Sequence, residues 1–396
     1  MNKKNAILLF GGKSFEHDIS ILTALIVYRN ARHTKYNLLP VYVDRNNEWF
    51  FYAGDNLKNE MFKDFNKNYK ENKFKKIYFK LGVNAFFYKE YLREKKIDVD
   101  VCLNCCHGGE GENGAFVNFL SLHGIACSIQ TPTALGICMN KVLTKRIASS
   151  LKIPVVKYVS ISKNDYIMHK DDYVKKINEL KFPIIIKPAN LGSSIGIEFV
   201  HTFEDLDEKL SLAFEFDNMI IVEKAIVDNM QEFNIACAKI NDDVIISQID
   251  KPIKTDEILS FKDKYIGSRS DTQNSSVKTE MWQSSPSKSQ KTGQYLSKKD
   301  FNVEMDQNIK EKIEKYSKSI YKNLDMTGIV RIDYICEKNR VYLNEINSIP
   351  GSLGYYFFVP HLFKTLSQFI DALLDQCIKD YNIENNINKN FITNLF

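Results

Sequence analysis

GIVRIDYICEKNRVYLNEINSIPG, residues 328–351, is the stretch of sequence that decides the fold. Two apolar runs, 329–336 and 341–346, flank the polar residues EKNR at 337–340. Runs of this length, rich in β-branched and aromatic residues and separated by a short polar turn, are typical of a β-hairpin. We therefore predict two antiparallel strands joined by this turn.

The polar side chains of this hairpin fall on one face of each strand. Side chains alternate between the two faces of a strand, so Arg331 and Asp333 share a face of the first strand, and Glu345 and Asn347 share a face of the second. Their three oxygen-bearing groups are ligands that Mg²⁺ takes from a protein when nucleotide phosphates complete its shell. The set indicates phosphoryl chemistry. For any one of these residues alone, an exposed polar face with a surface salt bridge is the better explanation.

Length and composition bound the class of protein. The 396 residues are enough for two or three domains, and a hydrophobic content of 44% supplies ordinary cores. The 54 Lys and Arg exceed the 49 Asp and Glu by only five charges, spread over the whole sequence, which gives no electrostatic case for nucleic acid or a membrane as partner. We expect a globular protein.

The first residues and the cysteines bear on location and metal content. Only a short apolar run, 6–10, follows the N-terminal Met-Asn-Lys-Lys, so we expect neither a signal peptide nor a membrane span, and a cytoplasmic protein. The eight cysteines lie mostly in apolar contexts. Cys102 and Cys105 lack a second pair at zinc spacing and fall in a predicted strand, so we predict buried free thiols and assign no metal to them.

The N-terminal region has the pattern of an α/β domain. The continuous apolar run 6–10 predicts a parallel strand buried on both faces, and helical spacing of apolar residues follows from 19 to 26. Residues 13–18 would then form the loop after the strand, where α/β folds place ligands. Glu16 in this loop is a candidate for holding a cationic group. On spacing alone, a first-turn glutamate that complements the helix dipole is the better explanation.

A glycine-rich segment follows another predicted buried strand. We predict strands at 38–43 and 99–105, with irregular structure over 52–91. The segment HGGEGENG, residues 107–114, brings backbone close to another group, and His107 and Glu112 can orient each other and the Glu16 loop. A purely structural loop explains the glycines equally well.

Two further segments suggest phosphate binding. The pattern of residues 132–151 predicts one helix that carries Lys141 and Lys145. Either lysine can simply be a solvated surface residue. The segment KPANLGSSIG, 187–196, lies between two apolar runs, and such a loop can fold over phosphates with its N–H groups and hydroxyls while Lys187 neutralises charge. It matches neither the P-loop nor the dinucleotide-binding pattern. A tight turn without a ligand is the alternative.

The apolar strand predicted at 220–226 can pair its exposed backbone with the edge of an adenine. Glu232, a few residues later, can then reach ribose hydroxyls. An edge strand followed by a solvated glutamate is the alternative for both.

Taken in order, these motifs resemble the D-alanine–D-alanine ligase family of the ATP-grasp superfamily across essentially the full chain. The motifs are LFGGKSFEHDIS, HGGEGENG, MNKVLTKR, KPANLGSSIG, VEKAI followed by QEF, FKDKY, RID and NEINSIPG. The resemblance implies an α/β protein with the ATP-grasp fold, in which an N-terminal parallel α/β domain precedes two α+β domains that sandwich ATP. We place the domains at 1–130, 131–232 and 233–396.

The resemblance also implies which residues bind ATP and metal. In this family two Mg²⁺ ions, for which Mn²⁺ can substitute, accompany ATP. The residues would be Lys141, Lys187 and Lys264 at the phosphates, Ser194 in the covering loop, Glu223, Lys224 and Ile226 at the adenine, Glu232 at the ribose, and Asp333, Glu345 and Asn347 as metal ligands.

The amino-acid site follows from the same resemblance. The first D-alanine forms an acylphosphate with the γ-phosphate, and the amine of a second D-alanine attacks it. Phosphoryl transfer of this kind depends on clustered cations that match the growing charge. The residues would be Glu16 at the first ammonium, Ser193 and Tyr265 linked to Glu16, Arg331 and the Gly351 N–H at the oxyanion, and His107 and Glu112 in support of the pocket.

Two segments depart from the family pattern. After Gly351 the chain reads SLGYYF, and Tyr356 stands where many members have a serine that binds the second substrate's carboxylate. A phenol can still donate a hydrogen bond to a carboxylate. Residues 267–303 form a longer segment than expected, rich in Ser, Lys, Gln and Thr, which is typical of an exposed, flexible insertion.

Three functions therefore remain open from the sequence. They are a ligase that joins two D-alanines for peptidoglycan precursor synthesis, a related ligase whose second substrate is D-serine, D-lactate or another amino acid, and an inactive nucleotide-binding scaffold. Arg331 and the complete set of metal ligands favour the active enzymes, because a scaffold would be free to lose them. The resemblance also favours a homodimer.

Overall fold

A computed structural model describes residues 3–128, 131–227, 229–252, 299–300 and 303–387. The described strands form one eight-stranded sheet, two four-stranded sheets and a two-stranded pair. Among the described helices, none is both long and apolar enough to cross a membrane.

One half of the N-terminal sheet is parallel and the other half is antiparallel. Its strands are β1 (Asn5–Gly11), β2 (Asn37–Val43), β3 (Trp49–Tyr52), β4 (Phe74–Phe79), β5 (Ala85–Glu90), β6 (Arg93–Asp98), β7 (Val101–Asn104) and β8 (Ala126–Cys127). They are ordered β6-β5-β4-β3-β2-β1-β7-β8. Strands β2, β1, β7 and β8 run parallel, whereas β3 to β6 are antiparallel.

The apolar strand β1 is buried on both faces, as its sequence predicted. Ala6, Leu8 and Phe10 pack into one hydrophobic cluster, and Ile7 and Leu9 pack into another on the opposite face. The helices of this region are α1 (His17–Asn30), α2 (Phe65–Asn68), α3 (Gly109–Glu112) and α4 (Ala115–Leu122).

The prediction of irregular structure over 52–91 was wrong. This stretch contains β4 and β5, whose inward side chains include Phe74, Ile77 and Phe86, each at most 5% exposed. The Lys- and Asn-rich composition concealed two short strands whose apolar residues are enough to bury one face.

The second sheet is antiparallel and ordered β11-β10-β12-β9. Its strands are β9 (Tyr158–Ser162), β10 (Ile184–Pro188), β11 (Glu198–Val200) and β12 (Met219–Lys224). The helices that precede or connect these strands along the chain are α5 (Pro132–Met139), α6 (Lys141–Ser150), α7 (Lys163–Met168), α8 (Lys170–Asn178) and α9 (Leu206–Ala213).

The single helix predicted over 132–151 is two helices, α5 and α6. They break at Asn140, which has ψ 105° and whose side chain accepts a hydrogen bond from the Leu143 N–H at 2.9 Å. Asparagine is a favoured N-cap because its side-chain oxygen satisfies an N–H that has no partner within the helix. The break places Lys141 at the start of a new helix.

The third sheet is antiparallel, ordered β14-β13-β17-β18, and contains the predicted hairpin. Its strands are β13 (Met230–Ile240), β14 (Asp243–Ile246), β17 (Ile329–Glu337) and β18 (Arg340–Asn347), and a short pair is formed by β15 (Lys251–Pro252) and β16 (Lys299–Asp300). Helix α10 (Gln307–Asn323) and the final helix α11 (Leu366–Asn385) complete the described residues.

All eight cysteines are free thiols, and six of them are buried. Cys127 and Cys377 are partly buried. The prediction of free thiols in apolar surroundings is confirmed.

Candidate active site

The hairpin formed by β17 and β18 brings the predicted polar set together. Arg331 lies opposite Asn347 in the register, and Asp333 lies opposite Glu345. Arg331 Nε and Nη2 donate to the two carboxylate oxygens of Asp333, both at 2.7 Å, and Asn347 Nδ2 donates to Asp333 Oδ2 at 3.0 Å. The polar face predicted from strand alternation therefore exists, and two parallel hydrogen bonds to Asp333 fix the orientation of the Arg331 guanidinium.

Burial and charge act in opposite directions on Arg331. Burial lowers the pKa of the guanidinium, but the neighbouring Asp333 carboxylate outweighs this and the pKa is raised. Arg331 is therefore a permanent, oriented cation. Glu345 and Tyr356 also lie within electrostatic range of it.

A β-bulge between Asp333 and Tyr334 adds a residue that the sequence did not reveal as part of the site. Tyr334 lies opposite Leu343, so Asn344 is the extra residue on β18. Its Oδ1 accepts a hydrogen bond from Lys187 Nζ at 3.2 Å and so joins the third sheet to the second. Because a bulge depends on the pairing of two strands, the pattern of a single strand could not have shown it.

Asn234 is a second residue that the sequence did not single out. It lies opposite Asp333 on β13, and with its amide nitrogen turned toward that residue it donates to Asp333 Oδ1 at 3.1 Å. Asn234 and Asn347 thus support Asp333 from neighbouring strands.

Three lysines and one glutamate form a group that we call the lysine cluster: Lys141, Lys145, Lys187 and Glu223. Lys145 Nζ lies 3.0 Å from Glu223 Oε1, and Lys187 Nζ lies 3.0 Å from Glu223 Oε2. Lys141 donates from Nζ to the Leu191 carbonyl. The cluster therefore carries three lysines around one carboxylate.

The pKa values in the lysine cluster show how strongly its charges interact. Burial lowers the pKa of both Lys141 and Lys145. Burial alone would raise the pKa of Glu223, but the ammonium groups of Lys145 and Lys187 outweigh it and lower the pKa to about 2. Glu223 is a fixed anion, and the excess positive charge around it is suited to a polyanion such as a nucleotide triphosphate.

Glu16 and Glu112 form a second group, which we call the glutamate pair. Burial raises the pKa of Glu16. Burial and, as a smaller contribution, the charge of Glu16 raise the pKa of Glu112 to about 8. Ser193 donates from Oγ to Glu16 Oε1, which links the N-terminal loop to the loop after β10. Glu112 accepts hydrogen bonds from the Gly108 N–H at 3.0 Å and the Ile349 N–H at 2.9 Å.

Two glycines leave room for Glu16. A Cβ atom at Gly108 would lie 2.8 Å from Glu16 Oε2, and one at Gly192 would lie 3.0 Å from the same oxygen. Gly108 also has φ +67°, which side chains with a Cβ rarely adopt. The two glycine-containing loops therefore approach Glu16 closely from different parts of the chain.

His107 and Glu112 do not pair in the way that we expected. The imidazole Nε2 of His107 lies 2.8 Å from Thr23 Oγ1, whereas the bonds of Glu112 run to Gly108, Ser348 and Ile349. Burial lowers the pKa of His107 to about 4, so its imidazole is neutral near pH 7. Thr23 is a residue that the sequence pattern did not single out.

The segment after Gly351 is a left-handed turn. Ser352, Leu353 and Gly354 have φ values of 56°, 53° and 55°. The Ser352 N–H donates to Thr23 Oγ1 at 3.2 Å, so α1 holds the turn in place. Tyr356 follows within this segment and is partly buried, and the centre of its ring lies 4.7 Å from that of Phe357, with the two rings tilted by 36°.

The residues predicted to contact the nucleoside lie around the end of β12. Glu223 is buried, Lys224 is exposed and Ile226 is partly buried. Glu232 on β13 is partly buried and lies within electrostatic range of Lys187. Ser194 follows Ser193 in the loop and has φ 60°. Lys264, Tyr265 and nearly all of 267–303 lie outside the described residues.

The acidic hairpin face fits a divalent ion that is shared with a phosphate. Asp333 and Glu345 supply two carboxylates and Asn347 an amide, all of them hard oxygen donors. Within the described ranges, no three His, Cys, Asp or Glu side chains are grouped so as to hold a metal ion by themselves. The donor set therefore suits an ion that completes its shell with oxygens from a ligand.

Glu345 connects the parts of the site electrostatically. Its charge acts on Glu16, Lys141, Lys187 and Arg331. The lysine cluster, the glutamate pair and the hairpin face therefore surround one region, which can bind an anionic nucleotide with metal beside a cationic amine.

Comparisons with known proteins agree with this geometry. A family model described as "D-ala D-ala ligase N-terminus" matches residues 5–128, and one described as "D-ala D-ala ligase C-terminus" matches 147–301 and 288–379. A D-alanine–D-alanine ligase of Thermosipho melanesiensis is 32% identical over 388 residues, covering 95% of this chain and 94% of the relative. One of Campylobacter jejuni is 32% identical over 385 residues, covering 97% and 96%. The crystal structure of the Helicobacter pylori D-alanine–D-alanine ligase is 26% identical with a TM-score of 0.69, covering 94% of this chain and 98% of that one.

Proposed function

The chain belongs to the D-alanine–D-alanine ligase family, and we propose that the cleft described above joins two D-alanine molecules to D-alanyl-D-alanine at the expense of ATP, for peptidoglycan precursor synthesis. The protein is an enzyme of the ATP-grasp fold that uses ATP and a divalent metal ion. One observation carries the residue assignments: Glu345 acts electrostatically on the lysines, on Arg331 and on Glu16 together.

ATP would lie between the second and third sheets. Lys141 and Lys187 would bind its phosphates, since both are buried ammonium groups that border the cleft. Ser194 would cover the phosphates, and Lys264 would reach the γ-phosphate. The remaining contacts are Glu223, Lys224 and Ile226 to adenine and Glu232 to ribose.

Asp333, Glu345 and Asn347 would hold two Mg²⁺ ions, or Mn²⁺ in their place. A divalent ion held by these residues would supply positive charge that offsets the negative charge developing during phosphoryl transfer. Asn347 and Asn234 orient the Asp333 carboxylate, which is what an outer layer of hydrogen bonds does for a metal ligand.

Glu16 would hold the ammonium group of the first D-alanine. Burial raises the pKa of this carboxyl, so a substrate cation that offsets the desolvation would favour its anionic form. Ser193 orients one Glu16 oxygen, and Tyr265 would extend that link. The substrate carboxylate would then attack the γ-phosphorus of ATP to form the acylphosphate, with ADP as the leaving group.

Arg331 and the Gly351 N–H would stabilise the oxyanion that forms when the second amine attacks the acylphosphate. The guanidinium is already fixed by two hydrogen bonds, so little reorganisation is needed as charge develops. His107 and Glu112 would support the pocket through Thr23 and Ile349, on either side of the Gly351 turn.

A second candidate function rests on Tyr356. This residue stands where many family members carry a serine for the second substrate's carboxylate, and it lies within electrostatic range of Arg331. A ligase that takes D-serine, D-lactate or another amino acid second is therefore the alternative.

The experiment that separates these functions is phosphate release in the presence of ATP, Mg²⁺ and D-alanine, with a panel of D-amino acids and D-lactate as second substrates. D-alanine as the preferred second substrate supports the main proposal. Preference for another member of the panel supports the alternative, and the absence of ATP-dependent product with every member contradicts both.

The domain boundaries at 1–130, 131–232 and 233–396, a homodimeric state and a cytoplasmic location also belong to the proposal. Their support is the resemblance of the sequence to the family. Sedimentation of the purified protein tests the oligomeric state directly.

A further inference from the structure

Lys145 is a buried cation to which the reaction described above gives no task. It lies on α6 one turn after Lys141, and its side chain is 0% exposed. Lys141 and Lys187 are 9% and 8% exposed. Lys145 is thus the member of the lysine cluster that is closed off from the cleft, so it is not placed to meet a phosphate.

The contacts of Lys145 converge on Glu223. Its Nζ lies 3.0 Å from Glu223 Oε1 and 6.0 Å from the centre of the Tyr158 ring. Among the described residues, Nζ has no recorded hydrogen-bond partner outside this ion pair. The other carboxylate oxygen, Oε2, faces Lys187 at 3.0 Å. Glu223 therefore has one lysine on each oxygen.

The two lysines differ in what else they can reach. Lys187 also donates to Asn344 at 3.2 Å, across the cleft, whereas Lys145 stays behind Glu223. When phosphate oxygens attract Lys187, the Glu223 carboxylate loses part of its charge balance. An uncompensated buried charge is strongly unfavourable, so without a second cation Glu223 would retain Lys187 and compete with the nucleotide.

We propose that Lys145 is a positioning residue that neutralises and orients Glu223, so that Lys187 is released to the nucleotide phosphates and the carboxylate stays in place for the base. This rests on the proposed binding of ATP by Lys187 and Glu223. The lowered pKa of Glu223 agrees with a carboxylate that remains anionic while both lysines face it. A purely structural ion pair would affect stability and leave nucleotide binding unchanged.

The test compares Lys145→Met with Arg146→Met, which removes an exposed cation from the next position of the same helix. Binding of ATP and of tripolyphosphate, a probe without a base, is measured by titration calorimetry, and KM for ATP and for D-alanine by phosphate release. Lys145→Met should weaken both ligands and raise KM for ATP by about 10- to 100-fold, with KM for D-alanine little changed. Arg146→Met should match the wild type.

Two results would overturn the inference. A folded Lys145→Met protein that binds tripolyphosphate and ATP as the wild type does leaves Lys145 with a structural role only. If the single variant does not fold, Lys145→Met/Glu223→Gln is used, because it leaves no unpaired carboxylate. Tripolyphosphate binding within about threefold of the wild type is then expected, since nothing retains Lys187, and continued loss contradicts the inference.

The wild type separates this inference from the proposed function. Wild-type protein that binds ATP, together with an unaffected Lys145→Met variant, removes only the role of Lys145. Wild-type protein that binds neither ATP nor tripolyphosphate removes the proposed function and the inference with it.

Discussion

At one end of the cleft Glu223 contacts two lysines, whereas at the other the charge of Glu16 acts on a second carboxyl group, Glu112. The pKa of Glu223 is lowered to about 2, although burial alone would raise it, because Lys145 and Lys187 contact its oxygens. In the glutamate pair, burial and, as a smaller contribution, the charge of Glu16 raise the pKa of Glu112 to about 8. The lysine cluster therefore balances its carboxylate internally, whereas burial disfavours the charged form in the glutamate pair, so an anionic Glu16 depends on a substrate cation to balance it.

This difference shows how one cleft can accept partners of opposite charge. A polyanion adds to the lysine cluster, which has more cations than anions, and an ammonium group adds to the glutamate pair, whose Glu16 accepts a hydrogen bond from the neutral Ser193 hydroxyl. Glu345 lies within electrostatic range of both groups and so couples them. The two ends can be separated experimentally by changing each in turn.

The largest effect is expected from Glu345→Ala, which removes the carboxylate whose charge acts on both ends of the cleft. Turnover should be abolished while the fold is retained, because one metal ligand is lost without opening a core cavity. The measurement is Mg²⁺-dependent phosphate release alongside thermal unfolding. Glu337→Ala at the far end of the same hairpin is the matched control and should stay active. Near-normal turnover in Glu345→Ala would remove the metal assignment.

Arg331→Met should be the next most severe change. Loss of a preorganised donor at an oxyanion typically lowers turnover by about 10²–10³-fold, and ATP binding should be spared because the lysine cluster is intact. Single-turnover kinetics and ATP titration measure the two quantities separately. Arg340→Met, at the exposed turn of the hairpin, is the control. If Arg331→Met forms dipeptide at the wild-type rate at saturating ATP and D-alanine, the oxyanion role is wrong.

Tyr356→Phe should act on the amino-acid end only. Removing one neutral hydrogen-bond donor should raise KM for the second D-alanine by about 3- to 10-fold and leave KM for ATP unchanged. Tyr355→Phe, the preceding phenol, provides the comparison. Equal KM values for D-alanine in Tyr356→Phe and the wild type would show that another group binds the second carboxylate.

The smallest effect is a pH dependence of stability that has opposite signs at the two ends. The folded pKa of Glu112, about 8, lies above its reference value of 4.5, so its stabilising contribution is present below pH 4.5 and is lost as the pH rises through about 8. The folded pKa of Glu223, about 2, lies below 4.5, so its contribution is present above pH 4.5 and is lost as the pH falls through about 2.

Thermal unfolding of Glu112→Gln between about pH 5 and about pH 9 tests this sign. The wild-type Tm should fall as pH rises across this window, and the fall should be shallower in Glu112→Gln. Glu110→Gln in the same segment is the control. A slope in Glu112→Gln identical to that of the wild type would show that Glu112 does not titrate in this window.

The sequence predicted the parts of the site that depend on local periodicity. Arg331, Asp333, Glu345 and Asn347 share a face because strand alternation is a property of each strand alone. Asn344 enters the site through a bulge, which depends on how two strands pair. The position of Asn140 before a helical run was a signal for the break between α5 and α6, because asparagine is a favoured N-cap.

The contacts between distant segments were beyond the reach of sequence patterns. Lys145 was as consistent with a solvated surface as with its position behind Glu223, because only the packing of α6 on the second sheet decides which it is. Thr23 is similar, since its partners His107 and Ser352 are 84 and 329 residues away. These residues are brought to the site by long-range packing, which the pattern of a single sequence does not show.

The two glycines beside Glu16 have a consequence for inhibitor design. Gly108 and Gly192 leave so little space that an added Cβ would lie 2.8 and 3.0 Å from a Glu16 oxygen. Glycine has no side chain to shorten, so no substitution at either position can enlarge the space beside Glu16. Every substitution adds a side chain and makes that space smaller. A compound that packs against both glycines would therefore contact a surface that no substitution can move away from it. A larger residue at either position would also crowd the Glu16 carboxylate, which is proposed to bind the substrate.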